Sequence, residues 1–243
     1  IQLINEIEIL RALKTKGVLN LKEVYETEDS IYLVTDFVHN ITLKKMLKAA
    51  SSPFSASKTK NYMQQLLQVL AELASKKIVH RNLKPSSILI EDSHHIRIIN
   101  FGLATFINSP KANVGISGSP GYIGPEILNC HHENRVYDDK VDVFSAGCIF
   151  FEMLLGYPLF KGSKTSEISF SNKDFKYSEL VQLVRKELNN AKFNSTKFGL
   201  DLLLKLLHND PKQRLSSEEA LGDVYFESQE SFASSNESTP RNY

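Results

Sequence analysis

The sequence predicts an α+β fold, with strands confined to its first half and helices filling its second. Three observations carry this. Paired strand-like runs, LNLKEVY (19–25) with IYLVTDF (31–37) and SILI (87–90) with IRII (96–99), each flank a short polar turn. From residue 140 onward the apolar spacing is helical only. Within that half, VDVFSAGCIFFEMLL (141–155) is apolar nearly all round, which requires an internal helix.

Taken in order, residues 2–13 place Leu3, Ile7 and Leu10 at helical spacing. The turns ETEDS and EDSHH separate the members of the two strand pairs. Between the pairs, a helix near 58–75 sets Met63, Leu66, Leu67, Leu70 and Ala74 on one face, with Ser55 and Ser57 as candidate N-caps. Residues 103–121 lose periodicity and gather Gly, Ser, Asn and Pro, as a long loop does. Further helices are expected near 178–189, 198–208 and 216–222. The final run, ESQESFASSNESTPRNY, has almost nothing to bury and reads as a disordered tail.

A chain of 243 residues, 42% hydrophobic, can bury a sizeable core. Its formal net charge of +1 gives no electrostatic reason for a nucleic-acid or membrane partner. Two cysteines make no disulfide framework, no apolar run is long enough to span a bilayer, and no signal peptide opens the sequence. The expectation is a soluble cytoplasmic protein and, with Ile1 in place of Met, a piece of a longer polypeptide. The trio Cys130, His131 and His132 suggests a metal, with His94 and His95 elsewhere, but adjacent residues converge poorly on one tetrahedral centre, so no metal site is expected. The Asn-x-Ser/Thr triplets at Asn40, Asn194 and Asn236 carry no weight without a secretory signal.

Five motifs in order carry a family resemblance: HRNLKP (80–85), NFGLA (100–104), GSPGYIGPE (118–126), YDDKVDVFSAGCIFFEMLLGYPLF (137–160) and NDPKQRLSSEEAL (209–221). Together they resemble a Ser/Thr protein kinase domain, nearest the calcium/calmodulin-dependent group, over residues 2–226. The resemblance implies a protein-kinase-like fold. Residues 1–38 would be a partial small lobe of a helix plus antiparallel strands, and residues 39–226 a mostly helical large lobe. Residues 227–243 would be the tail.

The departures from that family bear on chemistry. Phosphoryl transfer to a hydroxyl uses a carboxylate to orient the nucleophile and accept its proton, and metal ions held by a carboxylate and an amide. Here Asn82 stands at the base position, Asn100 at the principal metal position and Ser87 at its companion. A neutral amide is no base, and Mg²⁺ favours charged oxygen ligands. Loss of a general base alone costs about 10²–10⁴ in rate. Glu6, on the first helix, matches the residue that pairs with a phosphate-binding lysine, but the strand bearing that lysine and the glycine-rich loop do not occur in the sequence.

By the resemblance the retained residues are structural: Leu10, Leu21, His80 and Phe101 as an apolar column, Asp142 accepting backbone N–H bonds, and Arg214 reaching Glu126. Lys84 would meet a phosphate or bond the loop around Ser119. Arg81 would be held by loop carbonyls or face a phosphate on Ser109 or Ser117. Thr35 and Leu89 are the adenine-pocket candidates. The expectation is a pseudokinase, a scaffold or allosteric module whose partners are other proteins, an active kinase or its substrate among them. No cofactor is expected for this chain. The alternative is an active Ser/Thr kinase with an atypical site, and only there do ATP and Mg²⁺ enter.

Overall fold

A computed structural model describes residues 2–38, 41–107, 109, 115–129, 138–188 and 197–227. Helix α1 (Gln2–Ala12) leads into an antiparallel pair, β1 (Leu21–Glu26) and β2 (Ile31–Thr35), in which Glu26 faces Ile31 and Leu21 faces Thr35. The second strand stops two residues short of the expected Phe37, which is 87% exposed. Next come α2 (Leu43–Ala49) and the long α3 (Ala56–Ser75). Ser55 caps α3, its hydroxyl accepting from the Lys58 N–H at 3.3 Å, whereas Ser57 lies inside the helix. The apolar face of α3, with Met63, Leu66, Leu67 and Leu70, is buried.

Three short strands follow: β3 (Ile78–Val79), β4 (Ile88–Ile90) and β5 (Ile96–Ile98), with β4 and β5 antiparallel. The region expected to be loop throughout holds a further element. Residues Phe101–Leu103 form a 3-10 turn, and β6 (Thr105–Phe106) pairs antiparallel with β3. Two-residue strands are too short to show a period in sequence.

The remaining described elements are helices: α4 (Pro125–Asn129), α5 (Lys140–Leu155), α6 (Thr165–Lys173), α7 (Tyr177–Leu188), α8 (Lys197–Leu206), α9 (Ser217–Leu221) and α10 (Val224–Glu227). Ser216 begins α9 with a capping box, its hydroxyl accepting from the Glu219 N–H and the Glu219 carboxylate accepting from the Ser216 N–H. Glu227, expected as the first tail residue, closes α10 instead, and residues 228–243 lie outside the described residues. So do Asn40, Asn194 and Asn236, and the cluster Cys130, His131 and His132.

One continuous apolar core runs from Ile9, Leu10 and Leu13 of α1, through α3, to α5 and α8. Helix α5 is its axis: every residue from Val141 to Leu155 except Glu152 is buried. Each large side chain so enclosed contributes about 1.5–3 kcal/mol. Leu21 packs on the same core from the hairpin. No helix among the described residues is long and apolar enough to cross a membrane.

Candidate functional site

The segment between β3 and β4 is held from beneath by α5. The Asp142 carboxylate accepts the His80 N–H at 2.6 Å and the Arg81 N–H at 2.9 Å. Burial pushes this carboxyl up to about 7, against the two N–H bonds that favour its charged form. The double contact fixes Arg81 in the left-handed region (φ 60°), a conformation that costs a residue with a Cβ about 1–2 kcal/mol. The Arg81 side chain turns to the Leu103 carbonyl, its Nε donating at 2.7 Å.

His80 is fully buried and its ring meets Phe101 edge to face, centroids 4.8 Å apart. Its Nδ1 accepts the Asn82 N–H at 3.2 Å, and its Nε2 lies 3.0 Å from the Ile99 carbonyl. The opposite wall of the cleft is tied to the same segment, because the Ile99 N–H donates to the Ser87 carbonyl at 2.9 Å. Asn100 follows in the left-handed region (φ 68°), which a short polar side chain tolerates. Phe101 and Leu10 are buried in the common core, with Leu21 packed against it.

The three neutral residues have distinct surroundings. Asn82 Oδ1 accepts the Ser119 hydroxyl at 2.8 Å, and Ser119 Oγ accepts Lys84 Nζ at 2.6 Å. The amide oxygen of Asn82 is thus engaged by the loop through one lone pair, and in a neutral amide neither that oxygen nor the N–H₂ group, a donor only, is a base. Ser87 is fully buried. Its Oγ accepts the Lys84 N–H at 2.9 Å and lies 2.8 Å from the Lys84 carbonyl and 3.2 Å from the Asn82 carbonyl. That hydroxyl is consumed inside its own turn. Asn100 makes no side-chain hydrogen bond among the described residues.

Above the turn, a Cβ on Gly102 would lie 3.4 Å from Glu6 Oε2, so the Glu6 carboxylate sits over Phe101–Leu103. Burial raises its pKa, and no ion pair engages it among the described residues. Neighbouring Asn5 donates to the Ala104 carbonyl at 2.5 Å. Leu89 is buried in β4, bridged to Thr42, while half-buried Thr35 ends β2 and donates to the Asp36 carbonyl at 3.2 Å.

The loop over residues 115–124 is secured on two sides. Arg214, with none of its side chain exposed, grips Glu126 through Nη1–Oε1 at 2.7 Å and Nη2–Oε2 at 2.9 Å. It also donates to the Lys140 and His208 carbonyls. From α6, buried Asn172 accepts the Gly121 N–H and donates to the Ile123 carbonyl, both at 3.0 Å. Sequence reading missed Asn172, because apolar periodicity is blind to a helix whose buried residue is polar. Between those two clamped residues, the Tyr122 hydroxyl donates to Glu152 at 3.1 Å. Ser117 lines a small cleft with Arg81 and Asp142, and the Ser109 N–H donates to the Phe106 carbonyl at 3.0 Å. His94 and His95 lie on the β4–β5 turn, where Asp92 accepts both of their backbone N–H groups.

Comparison with known proteins agrees with this arrangement. A sequence model of the protein kinase domain matches residues 1–226. The chain is 35% identical over 226 residues to "Probable serine/threonine-protein kinase 2" of Plasmodium falciparum, covering 91% of this chain and 41% of the relative. It is 32% identical over 225 residues to "Serine/threonine-protein kinase cds1" of Schizosaccharomyces pombe, 91% of this chain and 47% of the relative. It is 30% identical over 222 residues to "Serine/threonine-protein kinase PLK4" of Xenopus tropicalis, 91% and 22%. The chain spans less than half the length of each of these relatives. With the family's motifs distributed around one cleft and its sequence model covering residues 1–226, the chain belongs to the protein kinase domain family.

Proposed function

We propose that this kinase domain is a pseudokinase, a scaffold or allosteric module that acts on other proteins through its surfaces rather than by phosphoryl transfer. Within the family we place it near the calcium/calmodulin-dependent group, on the sequence motifs alone. The observation that carries the reading is the engagement of Asn82: its amide oxygen holds Ser119, and a neutral amide is no base that can take a proton from a hydroxyl. The metal-site residues support the same conclusion. Ser87 spends its hydroxyl within the turn and Asn100 offers only a neutral carbonyl, a poor donor set for a hard divalent cation. The residues present do not fit Mg²⁺. Arg81, bonded to the Leu103 carbonyl, serves to brace the loop, and Ser117 beside it is the phosphosite the geometry favours over Ser109.

Two observations favour the alternative of an active Ser/Thr kinase with ATP and Mg²⁺. The relatives are named as Ser/Thr kinases, and Lys84 lies at the cleft against Ser119. Assay separates the two. Protein given ATP with Mg²⁺ or Mn²⁺ and generic Ser/Thr substrates is expected to incorporate no more phosphate than its Lys84→Ala variant. Incorporation that Lys84→Ala abolishes would overturn the pseudokinase reading.

A further inference from the structure

Helix α6 turns its inward face to the loop at 121–123. Ile168 sits against Gly121, where an added Cβ would lie 3.2 Å from its Cγ2, and Asn172, one turn later, makes the two clamping bonds. Phe170 lies between them in sequence, about 200° around the helix from each, and so points away from that face. Its side chain leaves the residue 71% exposed, so neither the core nor the clamp uses this ring.

Phe170 overhangs a groove of about 360 Å³ between the end of α6 and α7. That volume falls within the range of ligand-binding clefts, about 300–1,000 Å³. Phe160 and Phe175 meet edge to face in the groove, centroids 5.5 Å apart, and Phe175 meets buried Phe144 of α5 in the same way at 5.8 Å. The aromatic floor is thereby backed by the axis of the core. Leu180 and Leu183, at i and i+3 of α7, line the groove beside it. The rim is charged. Lys176 Nζ lies 3.9 Å from Asp174 and 4.0 Å from Glu179, and all three side chains are more than half exposed. One cation thus faces two carboxylates at the limit of ion-pair distance, which leaves one negative charge in excess among the lining residues. An apolar floor inside a polar, solvated rim is the layout of a protein–protein contact, and aromatic rings are its usual anchors.

We infer that this groove docks a basic, apolar segment of a partner protein, one that carries an aliphatic or aromatic side chain beside a Lys or Arg. The apolar side chain enters between Phe170 and the α7 leucines and covers the exposed ring. The cation joins the two rim carboxylates that a single lysine serves, and like charge turns acidic segments away. The inference does not depend on whether the cleft transfers phosphate, because none of the cleft residues described above lines the groove.

Random peptides displayed on phage, depleted on the Phe170→Ala variant and then selected on the whole parent chain, test it. Because Phe170 is exposed, Phe170→Ala should melt within about 2 °C of the parent. The enriched peptides are expected to place an aliphatic or aromatic residue beside a Lys or Arg. A fluorescein-labelled peptide from that set should bind the parent saturably in fluorescence anisotropy. Its Kd should rise at least about tenfold in Phe170→Ala and in Asp174→Lys/Glu179→Lys. If Phe170→Ala fails to fold, the double charge variant, altered only at exposed side chains, takes its place in the depletion and the comparison. No enrichment, enrichment of acidic peptides, or a Kd that either folded variant leaves unchanged overturns the inference. Self-association of the parent that Phe170→Ala abolishes would show that a second copy fills the groove, and overturns it as well.

Discussion

His80 is held by two bonds, Nε2–H donating to Ile99 and Nδ1 accepting from Asn82, and the second requires a neutral ring. Burial pushes its pKa down to about 4. An unfolded chain therefore takes up this proton first, starting near 6.5, and the folded chain only near 4. Stability from His80 is complete above 6.5 and is lost as pH falls toward 4, by roughly 3 kcal/mol over the window. His80→Phe removes the titration and both hydrogen bonds. In urea unfolding the parent's advantage over His80→Phe should be largest at pH 7 and shrink as pH approaches 4. An advantage that does not change with pH would show that the fold leaves the His80 pKa where the unfolded chain has it, and one that grows as pH falls would show that the fold favours the charged ring. At this scale the sequence made the identities legible: the amides at 82 and 100 and the hydroxyl at 87 can be read directly. What it did not show is that the Ser87 hydroxyl is buried and engaged, since that depends on the turn closing over it.

The elements around the cleft are joined by polar clamps across long sequence separations. Arg214, in the connection between α8 and α9, reaches Glu126 on α4, with its guanidinium 5.0 Å over the Phe144 ring. Arg214→Ala strands a largely buried carboxylate and frees the Lys140 and His208 carbonyls, a loss of about 3–5 kcal/mol. Arg214→Lys keeps the charge but loses the paired geometry, and should fall between parent and Ala. Chemical unfolding of the three proteins checks the order, and an Arg214→Ala midpoint equal to the parent's would refute it. The pair itself is implied by family motifs, because both partners sit inside them. Other elements were less visible. Helix α5 announces itself by being apolar throughout, whereas α6 buries Asn172 and gives apolar periodicity little to detect. Helices α2 and α4 are short, and their boundaries rest on Thr42, which caps α2, and on Pro125, which starts α4.

Across the whole molecule, one continuous apolar core joins α1 to α3, α5 and α8 and takes in Phe101 at the cleft. The groups needed for phosphoryl transfer act as a unit, and restoring one leaves the others absent. Asn82→Asp, Asn100→Asp and Ser87→Asn introduced singly should transfer no phosphate from ATP to a peptide. Ser87→Asn has the further cost of breaking the turn that the hydroxyl now closes. The triple variant of this chain should also stay silent, because the Glu6 carboxylate over Phe101–Leu103 has no cation beside it among the described residues, and active kinases need that glutamate paired with a lysine. Thermal melts distinguish a binding defect from a chemical one. A ligand at 100 times its Kd raises stability by about 2.7 kcal/mol. The parent should show no rise in Tm with ATP that depends on Mg²⁺, and a rise of several degrees abolished by EDTA would mean that Asn100 and its neighbours hold the metal after all. Should the triple variant transfer phosphate in this chain, Glu6 as it stands is no obstacle, and the lesion lies wholly in the three neutral side chains.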